Sequence, residues 1–420
     1  MTTDNSEMRR PIAIDLFCGC GGLSLGFEEA GFDIKASVEI DPVHAAVHEF
    51  NFPYAKTICS DISVLSGKDI LEKANIAENS VDVVIGGAPC QGFSLIGKRS
   101  FDDPRNKLVA EFVRVVGEIK PKYCVLENVK GLTIGEHKKF LSDVIEELQK
   151  HGYNVLLPYK VLNASDYGVP QNRERLFLIG ARSDMPLPTY PEKLGEKVTV
   201  GEAIEDLPDA DHFSELLKND RVFTHWETKS DYARKLRRLS DDAKDFSYPR
   251  NFDKDLLTAS TRTTHTEVSK QRFSSTPQGE VEKKSRFLRL SLKGQSNTLR
   301  AGTDSARGAF TSPRPIHPIH PRVITVREAA RIHSYPDWFC FNKTKWHGFR
   351  EIGNSVPPLL ARAVGQQIIK ALGISPTKPK QVLKTGPESL LEMKISSAAQ
   401  YFNVPKNVIA QRTRKNGSGK

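Results

Sequence analysis

Up to Gly180 the chain keeps repeating one pattern: a short apolar run, then a stretch with apolar residues at helical spacing. Residues 11–17, 33–38, 56–60, 81–85 and 123–126 are runs short enough to be strands buried on both faces. Between the last two, residues 107–119 place Leu108, Phe112, Val115, Val116 and Ile119 on one helical face, and 140–148 is similarly periodic. Strand–helix alternation of this kind closes as a parallel sheet, an α/β fold whose loops gather at the carboxyl rim of the strands. Any chemistry is expected at that rim.

The first run turns into a helix through Cys18-Gly19-Cys20-Gly21-Gly22-Leu23-Ser24-Leu25-Gly26-Phe27. Glycines there let the backbone approach a ligand, and the helix N-terminus faces it. A dinucleotide fingerprint would need a third glycine where Ser24 stands, so the turn indicates a nucleotide-like ligand without saying which. The second run ends at Glu39, about twenty residues past the glycines, where such folds set a carboxylate on ribose hydroxyls. The third ends at Asp61, placed to accept from an adenine amino group. Either acid alone reads first as a helix N-cap or a solvated loop charge. Two acids ending consecutive strands beside a glycine-rich turn point to a bound adenosine.

The fourth run stops sharply at Gly86-Gly87-Ala88-Pro89, which sets Cys90 on a rim loop. A lone cysteine is usually a small buried hydrophobe, so its meaning depends on what joins it. The fifth run ends at Glu127-Asn128-Val129. Residues 153–162 then lead through 163–170 into Gln171-Asn172-Arg173-Glu174-Arg175, and 176–180 follows too closely for a helical crossover. A hairpin is expected, and its return strand starts at the rim, bringing Arg173 and Arg175 beside Cys90 and Glu127. A thiolate adding to C6 of cytosine would make C5 nucleophilic towards a methyl donor. A glutamate kept protonated by burial could serve N3, and an arginine could serve O2.

Six blocks in order carry a resemblance. Residues 15–22 (Asp-Leu-Phe-Cys-Gly-Cys-Gly-Gly), Pro89-Cys90-Gln91, Glu127-Asn128-Val129, Gln171-Asn172-Arg173-Glu174-Arg175, the run from Arg322 to Ala330, and Gly353-Asn354-Ser355-Val356-Pro357-Pro358 resemble the DNA (cytosine-5)-methyltransferases. The resemblance covers residues 11 to about 373, outside a variable segment. It implies a Rossmann-like methyltransferase sheet with a smaller target-recognition domain inserted before the C-terminal helix. It also implies Cys90 as nucleophile at C6, Glu127 on N3 and the exocyclic amine, and Arg175 on O2 with Arg173 beside it. S-adenosyl-L-methionine is expected over Phe17, Gly19, Gly21, Gly22 and Leu23, with Glu39 on its ribose, Asp61 near its adenine, Pro89 alongside, and Asn354 and Ser355 closing the pocket. Residues 94–106 resemble a lid over DNA, with Gln91, Ser94, Lys98 and Arg99 as contacts, because a base must leave the stack to be reached.

The same resemblance implies double-stranded DNA as substrate and the modification half of a prokaryotic restriction system. A cognate endonuclease would act on the same site without stable complex. A monomer is expected. A tRNA-methylating relative is the nearest rival, but those members usually carry a Cys-Phe-Thr in the recognition segment, which is absent here. A non-enzymatic regulator on the same fold would be expected to have lost Cys90 or Glu127.

The expected domains are 1–185 with 345–373 for catalysis and cofactor, 186–344 for target recognition, 374–386 as linker, and 387–420 as a basic tail or helix-turn-helix. Strand–helix alternation disappears between residues 182 and 321, where 226–239 suggests a basic helix. Thr298-Leu299 resembles a pair in the family's recognition region. Arg300 and Arg307 are candidate guanine readers, with phosphate contact as the default. His317 and His320, punctuated by prolines, read as a linker, and no metal is expected. In the tail, Ala399, Asn403 and Ile409 have helix-turn-helix spacing. A formal charge of +10 favours a polyanionic partner. Six scattered cysteines argue against a disulfide framework, and the opening residues lack an export pattern. With no apolar run of bilayer length, a cytoplasmic protein without membrane association is expected.

Overall fold

The computed structural model describes residues 10–89, 107–135, 137–302 and 314–406. Its centre is an eight-stranded sheet in the order β3-β2-β1-β4-β5-β8-β6, with β7 also paired to β8. The strands are β1 (Ile12–Leu16), β2 (Asp33–Glu39), β3 (Lys56–Cys59), β4 (Val83–Gly86), β5 (Tyr123–Val129), β6 (Tyr153–Val155), β7 (Lys160–Asn163) and β8 (Glu174–Arg182). The first five are parallel, and β8 runs antiparallel to β5, β6 and β7. Residues 153–162, expected as one strand, divide into β6 and β7 around Pro158, which has no N–H for the ladder. The hairpin return stands as expected.

Alternation along the strands divides the core between two faces. Ile14, Leu16, Val84, Cys124 and Leu126 pack under α3 (Gly67–Lys73), α4 (Lys107–Ile119) and α5 (His137–Lys150). Ala13, Val83, Ile85, Tyr123, Val125 and Phe177 pack on the other face, under α1 (Gly22–Ala30) and α2 (Pro42–Asn51).

Beyond β8 regular structure is sparse: α6 (Val200–Ile204), α7 (Asp231–Leu236), α8 (Glu267–Ser275) and a ladder of β9 (Val222–Phe223) with β10 (Leu256–Leu257). The helix expected over 226–239 is six residues of α7. Arg237 just beyond it lies 3.9 Å over the Trp226 ring and bonds the carbonyls of Trp226 and Lys254, so its charge is used internally. Val200, Leu216, Trp226, Tyr232 and Leu257 join the same apolar cluster as Ala13 and Leu23. The fully buried Arg250 fastens this region to α1, meeting both oxygens of Glu28 at 3.0 Å, and Tyr54 also donates to that carboxylate.

The chain then returns through α9 (Val326–Ile332), α10 (Lys345–Asn354) and α11 (Pro358–Ala371). Helix α11 lies against α1 so closely that a Cβ on Gly26 would stand 2.4 Å from that of Ala361. Residues 374–386 are bonded along the molecule: Leu383 pairs with Pro249 and Asn251, and the Gly386 N–H donates to Phe50. Leu390 and Leu391 are buried, and α12 (Ile395–Tyr401) reaches α2 through a Tyr401–Glu49 bond of 2.5 Å. Asn403 adopts φ +53°, the left-handed turn its spacing suggested, whereas Ile409 lies outside the described residues.

Candidate active site

The carboxyl ends of β1, β2, β4 and β5 open into one cavity of about 600 Å³. Its size is that of a small-molecule site. Phe17, Gly19, Gly22, Leu23, Glu39, Asp61, Pro89, Asn354 and Ser355 line it, and so do Glu127, Arg173 and Arg175. Residues from both ends of the chain therefore share one space. Cys90, Gln91, Ser94, Lys98, Arg99 and Arg307 lie outside the described residues.

At the glycine-rich turn Phe17 takes φ +62° and Gly21 φ +107°, a conformation suited to glycine. Gly21 caps α1 and donates its N–H to the Cys18 carbonyl. The Glu39 carboxylate spans the turn and the next helix, accepting the N–H of Gly19 and that of Asp41, both at 2.8 Å. Burial pushes its pKa up, and those donors oppose the rise. Asp61 accepts the Ser63 N–H at 2.9 Å through one oxygen, so it is a cap as well as a cavity residue.

Ser24, which breaks the dinucleotide fingerprint, belongs to a buried chain beneath the turn. Its hydroxyl donates to Asp15 at 2.6 Å and lies 3.0 Å from His48 Nε2, and His48 Nδ1 lies 3.2 Å from the Thr57 hydroxyl. Desolvation raises Asp15 to about 7 and lowers His48 to about 3, so the imidazole is neutral. Sequence reasoning missed this chain, although a Ser in place of the third glycine was the available signal.

On the catalytic side β5 extends past its apolar run to Val129, because β8 pairs with it as far as Val129↔Arg175. Strand alternation therefore puts Glu127 and Arg175 on one face, where Arg175 Nε meets Glu127 Oε1 at 2.8 Å. Burial raises the Glu127 pKa, while Arg175 and Arg173 pull it down. Gly87 leaves the space this carboxylate needs, since a Cβ there would stand 2.9 Å from Oε2.

Arg173, expected beside Arg175 at the substrate, directs its guanidinium elsewhere. Only 1% exposed, it bonds the carbonyls of Leu299 (2.9 Å), Gly353 (2.9 Å) and Ser355 (2.8 Å). It braces the cavity wall through those carbonyls. Arg300 is exposed, one residue past the carbonyl that Arg173 holds. Asp41, His44, Arg350 and Glu351 also line the cavity and were not anticipated.

The described cysteines are all held as thiols: burial raises Cys18, Cys20 and Cys340, and takes Cys59 and Cys124 to about 12. His317 and His320 join a network with Asp209, Arg322 and Glu328, and no metal-holding cluster occurs among the described residues.

The sheet with its antiparallel edge sets a glycine-rich turn and a carboxylate–guanidinium pair at one cavity beyond the strand ends, the placement of an α/β enzyme's site. The chain belongs to the C-5 cytosine-specific DNA methylase family, matched over residues 12–370, and is a type II DNA (cytosine-5)-methyltransferase of restriction-modification kind. It is 60% identical over 407 residues to the type II methyltransferase M.XorII of Xanthomonas oryzae pv. oryzae, spanning 97% of this chain and 96% of that one. It is 37% identical to M1.HphI of Haemophilus parahaemolyticus over 85% and 86% of the two chains. Among solved structures, a DNA modification methyltransferase encoded within an Escherichia coli prophage superposes with a TM-score of 0.72 at 34% identity, covering 87% of this chain and 100% of that one. The Schizosaccharomyces pombe Dnmt2 methyltransferase shares the fold, with a TM-score of 0.53 at 18% identity over 87% of this chain and 100% of that one. No described helix is long and apolar enough to cross a membrane.

Proposed function

We propose that the cavity binds S-adenosyl-L-methionine next to a cytosine extruded from double-stranded DNA, and that Cys90 attacks that base. The fit of the cofactor rests on the turn and its acids: open space lies where a Cβ on Gly19 would be, and the Glu39 carboxylate fronts the same cavity. Phe17, Gly19, Gly22 and Leu23 would lie along it, with Glu39, Asp61 and Pro89 at the nucleoside and Asn354 and Ser355 at the other end, whereas Gly21, expected with them, faces Phe52 and His48 and only shapes the turn. Bound there, it supplies an electrophilic methyl group.

The chain's own residues prepare the base. The Cys90 thiolate forms a bond to C6, and the displaced electron pair moves through the ring towards N3 and O2. Glu127, biased by burial towards its protonated form, gives a proton to N3, and Arg175 steadies the charge at O2. C5 is then nucleophilic. Once C5 carries the methyl group, loss of the C5 proton to a base, departure of the thiolate and return of the N3 proton to Glu127 restore the aromatic ring and the starting residues. Arg173 acts as a positioning residue.

The single observation that carries this reading is the Glu127–Arg175 pair, 2.8 Å apart, in the cavity that also holds the glycine-rich turn. Residues 186–344 would select the sequence, with Arg300 and Arg307 on guanine or phosphate. Gln91, Ser94, Lys98 and Arg99 would meet DNA as a lid closes, offsetting the few kcal/mol that extrusion costs. The enzyme would act as a cytoplasmic monomer and protect DNA from a cognate endonuclease that reads the same site. The tail, residues 387–420, would add phosphate contacts or a helix-turn-helix.

Bisulfite sequencing of plasmid from expressing cells should show one methylated sequence context. Cys90→Ser should abolish that signal while leaving cofactor affinity within about threefold, since a lost covalent step does not weaken ground-state binding. Methylation by the serine variant would remove Cys90 from the mechanism.

A further inference from the structure

Two parts of the molecule that face different ligands are joined by buried polar side chains. Residues 296–299 run beside 170–173: Ser296 exchanges bonds with Pro170 and Asn172, and the Thr298 hydroxyl donates to the Asn172 carbonyl at 2.8 Å. From there two side chains cross to the end of the cavity. Arg173 grips the Leu299 carbonyl with one nitrogen and those of Gly353 and Ser355 with another. Gln171 accepts the Leu299 N–H at 3.0 Å and turns its amide nitrogen to His333 Nδ1 at 2.9 Å, while His333 Nε2 lies 3.1 Å from the Ser355 carbonyl.

The donors run in one consistent direction. Leu299 donates to Gln171, Gln171 to Nδ1, and Nε2–H to Ser355, which requires a neutral imidazole. Burial and the adjacent Arg173 lower the His333 pKa well below its ordinary value, so that form holds at neutral pH. Gln171 and His333 are 0% exposed, so a lost partner leaves a buried polar group unmet. The backbone reinforces the link, since a Cβ on Gly353 would stand 2.3 Å from the Ala301 nitrogen. The two segments cannot shift independently without orphaning buried groups.

We propose that Gln171, Arg173 and His333 form a relay that makes the position of 296–301, on the recognition side, depend on that of 353–355, at the cofactor end of the cavity. This rests on the reading of those two ends as DNA-facing and cofactor-facing. The three residues are positioning residues, and their effect is a coupling between two binding events. Coupling is reciprocal, so either ligand can report it.

The test measures binding of S-adenosylhomocysteine, the demethylated form of the cofactor, by titration calorimetry. It is done with and without a saturating duplex that bisulfite mapping has identified as substrate. Wild-type protein should bind it at least about fivefold more tightly in the presence of the duplex. His333→Phe keeps the ring volume and removes both nitrogens; Arg173→Lys keeps the charge but cannot span the three carbonyls. Each should reduce the ratio to below about twofold, a change that loss of stability alone would not produce in protein shown folded by its melting curve. Should His333→Phe fail to fold, Arg173→Lys decides. A folded variant with the full wild-type ratio overturns the relay, as does wild-type protein whose affinity ignores the duplex. If no duplex is methylated at all, the parent reading fails and the relay with it.

Discussion

Residues 11–182 and residues 186–344 solve the same problem in opposite ways. In the first region, main-chain groups are satisfied by a ladder: five parallel strands and an antiparallel edge. In the second, arginine side chains replace much of that ladder. Arg289 bonds the carbonyls of Phe273, Ser274, Thr276 and Pro318; Arg327 bonds those of Thr258 and Phe339; Arg331 bonds that of Ala203 and both oxygens of Asp337. Arg322 and Glu328 form a pair of two bonds beside the Thr325 cap of α9. A basic composition in this region thus says less about DNA than it suggests, because many of its cations face inwards. The guanidinium suits that use, with five donors in a rigid plane and a charge that burial does not remove.

The contrast is most open to test at Arg250. Among the described residues its partner Glu28 has no other cation within bonding distance of its carboxylate, and both side chains are fully buried. Arg250→Ala should destabilise the protein by about 3–5 kcal/mol, because it strands a buried carboxylate. The double change Glu28→Gln with Arg250→Met should recover much of that loss, since a buried pair is weak support for stability in itself. Chemical denaturation of the two variants measures both. Equal losses would mean that removing the stranded charge recovers nothing, against this account.

The same contrast explains what the sequence made legible. Apolar runs separated by helical spacing identified every strand as far as β5, and the acids Glu39 and Asp61 stand at the end of β2 and just past β3. Those signals are local, and register carries them to the rim without further information. Arg250 reaches Glu28 across 222 residues and Arg331 reaches Ala203 across 128, separations at which no periodicity speaks. Arg173 shows the limit inside a legible motif: spacing could bring it to the rim, but not say that its donors face Leu299, Gly353 and Ser355. The strand-like run over 153–162 failed for a plainer reason, an interior proline.

A second prediction concerns the ladder region and one of its costly polar features, Asp15 near the end of β1. Its pKa is raised from the ordinary value to about 7, chiefly by burial, with the Ser24 bonds opposing. The folded state therefore holds a proton that the unfolded chain releases near pH 4, so this group loses stability as pH rises from about 4 to about 7. Asp15→Asn keeps an oxygen for Ser24 and removes the titration. Its stability relative to wild type should improve with pH across that window, by at most about 1.4 kcal/mol per unit, and stay level above it. Urea midpoints at pH 5 and pH 8 suffice. A variant whose deficit is constant with pH would show that Asp15 is ionised in the fold and that Ser24 and the turn compensate its burial.

The smallest effect on stability is expected at Arg300, which isolates the outward-facing use of arginine. It is exposed, unlike Arg237, Arg250 and Arg331, and sits just past the Leu299 carbonyl that the relay holds. Arg300→Ala should change stability by no more than about 0.5 kcal/mol, the usual range for an exposed side chain. DNA binding should separate the two roles left open for it. If the side chain meets a phosphate, its removal weakens all sequences alike and lowers the salt slope by about 0.9. If it reads a guanine, its removal costs about 1–3 kcal/mol at one position and relaxes specificity only there. Salt-dependent titrations against the methylated site and its single-base variants distinguish them. A stability loss comparable to that of Arg250→Ala, with DNA binding otherwise intact, would place Arg300 with the inward-facing arginines and erase the distinction at this position.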